Sequence, residues 1–247
     1  MLENIDLSLA LSKEEYADRI PDLQARLFDL QRRCWEADLG VVLVFEGWET
    51  AGKGKVIRKF TSKLEPRAFE INAIGGRRTH EQPLPWLYRF WVALPNHGRF
   101  AIFAKSWNRR VLVHGLDGSL TDAQFQRAFD DIKFFEAALA TDRYVVLKFF
   151  LHIHRDEQRR RLEALAADEA TSWRVQDSDW EQNDRYEEHR ALIEELLTRT
   201  ETEWAPWNPV AAHDLRWARA SVIETVVERL DDELPRFEAA TANDRES

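Results

Sequence analysis

The sequence predicts an α/β fold in three layers: a central parallel sheet with helices on both faces. Three observations lead there. Apolar runs such as Val41-Val42-Leu43-Val44-Phe45 and residues 144–151 are nearly continuous, as strands buried on both faces must be. Segments with helical character separate them, which supplies the crossovers a parallel sheet requires. A glycine-rich loop, Gly47-Trp48-Glu49-Thr50-Ala51-Gly52-Lys53-Gly54, joins the first run to a helix-like segment. That order aims backbone N–H groups and a helix N-terminus at phosphate, with Lys53 to neutralise its terminal oxygens.

The elements follow in turn. Ser12-Lys-Glu-Glu15 is a capping box opening a helix that reaches about Trp35. Strand 41–46, a helix from 52 to 64, strand 69–74 and a helix over roughly 82–94 come next. Strand 100–103, helix 122–139 and the long strand 144–151 follow, and helices near 155–166, 180–203 and 213–230 complete the chain. Residues 235–247 have little to bury and read as a flexible tail. With 247 residues, 44% of them apolar, the chain has enough material for one core. No repeat or linker divides it, so a single domain with its core over about 13–230 is expected.

Charge and cysteine content narrow the function. The net charge is −9. No stretch approaches the ~20 apolar residues of a membrane span, and the acidic start is no signal peptide, so the cytoplasm is the expected location. The single cysteine, Cys34, rules out an intrachain disulfide or a multi-cysteine metal site and reads as buried. Residues 52–78 carry eight Lys/Arg against two Glu, whereas residues 177–204 carry ten acids against three Arg. The basic stretch suits a polyanionic ligand beside the loop. It also suits a solvated helix face, since Lys55, Arg58, Lys59 and Lys63 are helically spaced.

In a parallel sheet ligands sit at the carboxyl ends of the strands. Three ends carry polar groups: the glycine loop, Ala104-Lys105-Ser106-Trp107-Asn108-Arg109-Arg110, and the run beginning His152-Ile-His154-Arg155. A phosphate-loop enzyme ordinarily has an acid just after a neighbouring strand. Here that position is Ala104.

These residues, in this order, resemble the polyphosphate kinase 2 family. The loop is similar to the family's G-x-D-x-x-G-K-G, and Leu64-Glu-Pro-Arg67 to its L-x-P-R. Phe103-Ala-Lys-Ser-Trp-Asn-Arg-Arg110 is similar to F-D-R-S-W-Y-x-R, with Arg89-Phe-Trp-Val-Ala-Leu-Pro95 ahead of it. Further similarities are Phe150-Leu-His-Ile153, Ala205-Pro-Trp207, and Asp214 with Arg219. The segment Arg109-Arg-Val-Leu-Val113 is most similar to the branch that phosphorylates AMP from polyphosphate. The resemblance implies a P-loop kinase-like fold with a helical lid, a dimer or tetramer, and magnesium as cofactor. It implies Lys53, Arg110 and Glu49 as catalytic residues. Gly47, Gly52, Lys53, Gly54, Arg89, Lys105 and Ser106 would bind phosphate and nucleotide, and Glu49 would be the metal ligand. Polyphosphate and a nucleotide would be the partners, with no nucleic acid and no membrane. The chain departs from the family pattern at Glu49, Ala104, Lys105, Asn108 and Leu215. Phosphate-gripping positions are thus kept better than metal-gripping ones. A family member that binds polyphosphate with impaired turnover, or that partners an active relative, is the alternative. An ATP-dependent small-molecule kinase is the third class.

Other features have two readings. Trp48 and Trp107 either line the site or pack the core. Arg155, Arg159, Arg160 and Arg161 either cover a phosphate chain or pair with Asp156, Glu157 and Glu163. Asp177 and Asp179 read as caps of the following helix.

Overall fold

The computed structural model describes residues 1–246, with side chains through residue 241. The chain runs α1 (Lys13–Glu36), β1 (Gly40–Gly47), α2 (Lys53–Thr61), β2 (Phe69–Ala73), α3 (Tyr88–Trp91), β3 (Phe100–Lys105) and α4 (Arg109–Leu112). It continues through α5 (Asp122–Thr141), β4 (Tyr144–His152), α6 (Arg155–Ala167), α7 (Asp177–Asp184), α8 (Tyr186–Arg199), β5 (Trp207–Ala211) and α9 (Leu215–Glu246). The strands form one sheet in the order β2-β3-β1-β4-β5, every neighbouring pair parallel. Residues 41–45 of β1 and all of β4 are buried, so their apolar sequences, interrupted in β4 by Lys148, reflect cover on both faces. Helices α1, α2 and α9 pack together as one layer; α4, α5 and α8 make the other.

The connection leaving β1 runs toward β2, and the one leaving β3 runs the opposite way to β4. Such a reversal opens a crevice at the strands' carboxyl ends, and the glycine loop lies in it.

Helix α1 begins with the expected capping box: Ser12 Oγ accepts from Glu15 N, and the Glu15 carboxylate accepts from Ser12 N. Along its length it lies parallel to α9. Arg19, Arg26 and Arg33 pair with Glu224, Asp231 and Glu238, a constant offset at seven-residue spacing. Seven residues are close to two turns, so the three pairs share one seam. The stretch from 235, expected to be flexible, is helical through Glu246, and the Arg33–Glu238 pair and Thr241 Oγ1 donating to Ala37 O tie its first part down. Ser247, the end of that expected tail, lies outside the described residues. Cys34 is buried in the α1 face, and burial pushes its thiol up to about 12.

Three elements differ from the sequence reading. The helix expected over 82–94 shrinks to α3, because Pro83 and Pro85 withhold backbone donors and disfavour helical geometry in the residues before them. The long acidic helix divides at Arg185 (φ −96°, ψ 31°) into α7 and α8. Strand β5 has no counterpart in the sequence reading. Pro209 masks it, and an edge strand bonded only to β4 is where proline is tolerated.

Candidate functional site

The loop closing β1 is shaped by close approach. Gly47 sits at φ +144°, and a Cβ there would lie 2.5 Å from the Leu151 carbonyl oxygen. Gly52 sits at φ +104°, where a Cβ would meet Leu215 Cδ2 at 2.5 Å. Both conformations favour glycine, and at Gly47 the contact with the Leu151 backbone demands it as well. Between them Thr50 adopts φ +62°, the left-handed region that a β-branched residue rarely occupies. Helix α2 then starts at Lys53. The space beside Gly54 is open.

Lys53 curls back onto its own loop. Its Nζ donates to the carbonyls of Gly47 (2.6 Å) and Trp48 (3.0 Å) and stands 3.7 Å from Glu49 Oε1. The ammonium holds Glu49 below the usual carboxylate range, with Arg109 and Lys105 adding to the effect against burial. Glu49 is therefore ionised and partly exposed at the crevice wall.

A second acid, absent from the sequence reading, lies beneath the loop. Glu46 is buried at the end of β1, and one of its oxygens accepts from Ser106 N (3.1 Å) and Ser106 Oγ (2.6 Å). Burial raises its carboxyl in spite of those bonds. Ser106 Oγ also accepts from the backbone and side-chain nitrogens of Asn108, so this serine organises the turn after β3. The signal for Glu46 was a lone acid closing an otherwise apolar strand.

Three clefts lie at the carboxyl ends of the strands, two of them lined in part by the loop. The first, of about 230 Å³, lies past β2 and β3 and is lined by Arg77, Arg89, Lys105, Arg109 and Arg110, with Trp86 among them. Arg110 stacks over the Trp86 ring at 5.5 Å, and Arg89 pairs with Glu81 at 3.2 Å. The Nε atoms of Arg89 and Arg110 are buried without a partner. The second cleft, of about 510 Å³, lies between the loop and helices α6 and α9, and carries Lys53, Lys55, Arg160, Arg161 and Arg174. Burial, then the neighbouring charges of Arg161, Arg219, Arg174 and Arg58, depress the Lys55 ammonium. A third, of about 220 Å³, joins them and presents Glu46, Glu49, Arg109 and Asp179. Of these cations the sequence reading singled out Lys53, Arg89, Lys105 and Arg110 for the site. It missed Arg77, Arg109 and Arg174.

The lid helices rest on the loop. Glu49 N donates to Gln182 Oε1 of α7 at 3.0 Å, and Gln158 Nε2 of α6 donates to the same oxygen at 2.8 Å. Asp179 caps its helix by accepting from Gln176 N, as its position suggested, and its burial beside Glu49 raises its carboxyl. Trp48 and Trp107 both belong to the core. Trp48 stacks on Tyr186 (4.0 Å) and donates to His152 Nδ1, while Trp107 donates to Glu136. The basic turn combines its two readings: Arg160 pairs with Glu157 and Arg159 with Glu163, but Arg161 turns inward to the loop.

Among the described residues no group of three or more His, Cys, Asp or Glu is placed to hold a metal ion. Magnesium is commonly held by one or two carboxylates plus substrate phosphates. Ionised Glu49 fits one such position. Ala104 leaves the end of β3 without another, and Lys105 places a cation beside it. The residues thus fit an ion that arrives with phosphate better than one held by protein alone.

The family model described as polyphosphate kinase 2 matches residues 10–238. The chain is 36% identical over 236 residues to the polyphosphate:AMP phosphotransferase of Pseudomonas syringae pv. tomato, covering 96% of this chain and 47% of that protein. A crystal structure assigned as polyphosphate kinase 2 from Pseudomonas aeruginosa PA01 superposes with a TM-score of 0.90 at 34% identity, covering 94% of this chain and 50% of that one. Polyphosphate kinase 2 from Arthrobacter aurescens TC1 shares the fold, with a TM-score of 0.89 at 24% identity over 94% of this chain and 85% of that one. The chain spans about half the length of the curated polyphosphate:AMP phosphotransferases it matches. No helix among the described residues is long and apolar enough to cross a membrane.

Proposed function

The chain belongs to the polyphosphate kinase 2 family, and from that footing we propose that it moves phosphoryl groups between inorganic polyphosphate and a nucleotide, AMP or ADP being the acceptor. The observation that carries this reading is a pair of cation-lined clefts, the larger lined by Lys53 and Glu49 and the smaller connected to it through a third that presents both Glu49 and Arg109. The larger cleft suits the polyphosphate chain, a repeating anion matched by Lys55, Arg160, Arg161 and Arg174. The smaller suits the acceptor's phosphate, through Arg89, Lys105 and Arg110. An acceptor phosphate oxygen attacks the terminal phosphorus, and the bridging oxygen leaves with the shortened chain. The attacking oxygen is already ionised, so no general base is needed. What the protein supplies is alignment and charge neutralisation. Lys53 exchanges the carbonyls of Gly47 and Trp48 for the oxygens of the group in transit. Glu49 would hold magnesium, which when bound neutralises phosphate charge. By the same family resemblance the protein acts as a dimer or tetramer, and we place it in the cytoplasm, with no nucleic acid or membrane as partner.

The test is ADP and ATP formation from AMP and ADP with polyphosphate, with and without Mg²⁺. Wild type forms product, and Lys53→Ala lowers kcat by about 100-fold or more. No product above background at high enzyme concentration would refute transfer. Ala104 favours a second reading, binding with impaired turnover. In that case polyphosphate binds in the presence of EDTA, wild type turns over poorly, and Ala104→Asp raises the rate.

A further inference from the structure

We infer that Arg161 is a positioning residue for the phosphate loop, holding a strained turn in its anion-receiving shape from a neighbouring helix. The inference rests on the loop being the phosphate site. A guanidinium has five N–H donors in a fixed fork, and here all five are engaged. Nε donates to Glu157 Oε1 at 2.6 Å. One terminal nitrogen donates to the carbonyls of Thr50 (3.1 Å) and Ala51 (3.3 Å), the other to those of Ala212 and His213 (both 2.8 Å). The side chain is 14% exposed.

Two consequences follow from this bonding. Thr50 is a β-branched residue at φ +62°, a conformation that persists only where its surroundings over-determine it. Arg161 grips the carbonyl of that residue and of the next one. Thr50 and His213, two of the four residues whose carbonyls it holds, line the larger cleft together with Arg161 itself, and bare carbonyl oxygens there would repel an anion. The guanidinium engages the carbonyls of both and presents positive charge instead. It further ties the loop to the turn before α9, whose Leu215 abuts Gly52. Lysine offers only three donors on a flexible stem and cannot replace this fork.

The experiment compares wild type, Arg161→Lys, Arg161→Ala, Thr50→Gly and the Thr50→Gly/Arg161→Lys pair. Three readouts are used: long-chain polyphosphate affinity by calorimetry, hydrogen exchange of loop peptides, and thermal melting. Arg161→Lys is expected to weaken polyphosphate binding by about tenfold and to speed exchange over 47–54, while β1 exchange is unchanged. Thr50→Gly, which is at ease at positive φ, restores most of the loss in the pair. A residue that merely packs α6 would lower the melting temperature with no such rescue. Unchanged affinity and loop exchange in Arg161→Lys, or absence of rescue, would overturn the inference. If wild type binds no polyphosphate, the functional proposal fails, and loop exchange in the five proteins still decides the role of Arg161.

Discussion

Replacing Lys148 by methionine leaves the Glu136 carboxyl without its cationic partner in a place that water does not reach. Both side chains are 0% exposed. Lys148 Nζ donates to Glu136 Oε2 at 2.6 Å and to the Thr200 carbonyl at 2.7 Å, and it lies over the Trp207 ring at 4.9 Å. The other Glu136 oxygen accepts from Trp107 Nε1 at 2.9 Å. Burial opposes both charges, pushing the Glu136 carboxyl up and the Lys148 ammonium down, and their mutual attraction and hydrogen bond work against those shifts. Removing one partner of such a pair costs about 3–5 kcal/mol, whereas replacing both with groups of similar volume is close to neutral. For a chain of this length each kcal/mol moves the melting temperature by roughly 2–4 °C. Lys148→Met is therefore expected to melt about 6–20 °C below wild type, and Glu136→Gln/Lys148→Met to recover most of that. Thermal unfolding followed by circular dichroism at pH 7 reads both. A single variant within about 1 kcal/mol of wild type would refute the reasoning, because it would mean that Glu136 finds water or a proton without cost. The pair also concerns the site, since Trp107 anchors the turn that carries Arg109 and Arg110.

Gly52→Ala places a Cβ 2.5 Å from Leu215 Cδ2 at φ +104°. The backbone strain alone costs about 1–2 kcal/mol, so lower thermal stability together with weaker polyphosphate binding is expected. Acid should destabilise the protein in two stages. His152, whose Nδ1 accepts from Trp48, is depressed from its ordinary 6.5 to about 4 by burial, so the unfolded chain takes up its proton first. Stability from this group is complete above pH 6.5 and declines as pH falls toward 4. Denaturant titrations at intervals across that range measure the slope, and His152→Gln should flatten it. Glu157, held at about 2 chiefly by its hydrogen bond to Arg160, contributes stability above pH 4.5 that is lost as pH falls toward 2. Glu157→Gln should remove that lower limb.

The sheet was legible because buried parallel strands are nearly continuous apolar runs, and β1, β3 and β4, apart from Lys148, are. The loop was legible because Gly47, Gly52 and Lys53 meet a steric and electrostatic demand that few other residues satisfy. Where proline intervened the local signal misled: Pro83 and Pro85 cut down the helix expected over 82–94, and Pro209 hid an edge strand. Tertiary partners were not legible at all. Nothing near Glu46 in sequence announces Ser106, sixty residues away, and nothing near Thr50 announces Arg161. The two tryptophans best placed to line the site turned inward because each indole N–H found a buried acceptor, His152 for Trp48 and Glu136 for Trp107.

The seam between α1 and α9 sets a timetable for the nascent chain. Arg19, Arg26 and Arg33 leave the ribosome 205 residues before the acids they meet. At about 5–20 residues per second, α1 waits on the order of 10–40 s with its apolar stripe uncovered. Until α9 arrives, the stripe that includes Leu27 and Leu30 is open to chaperones or to neighbouring chains on the same message.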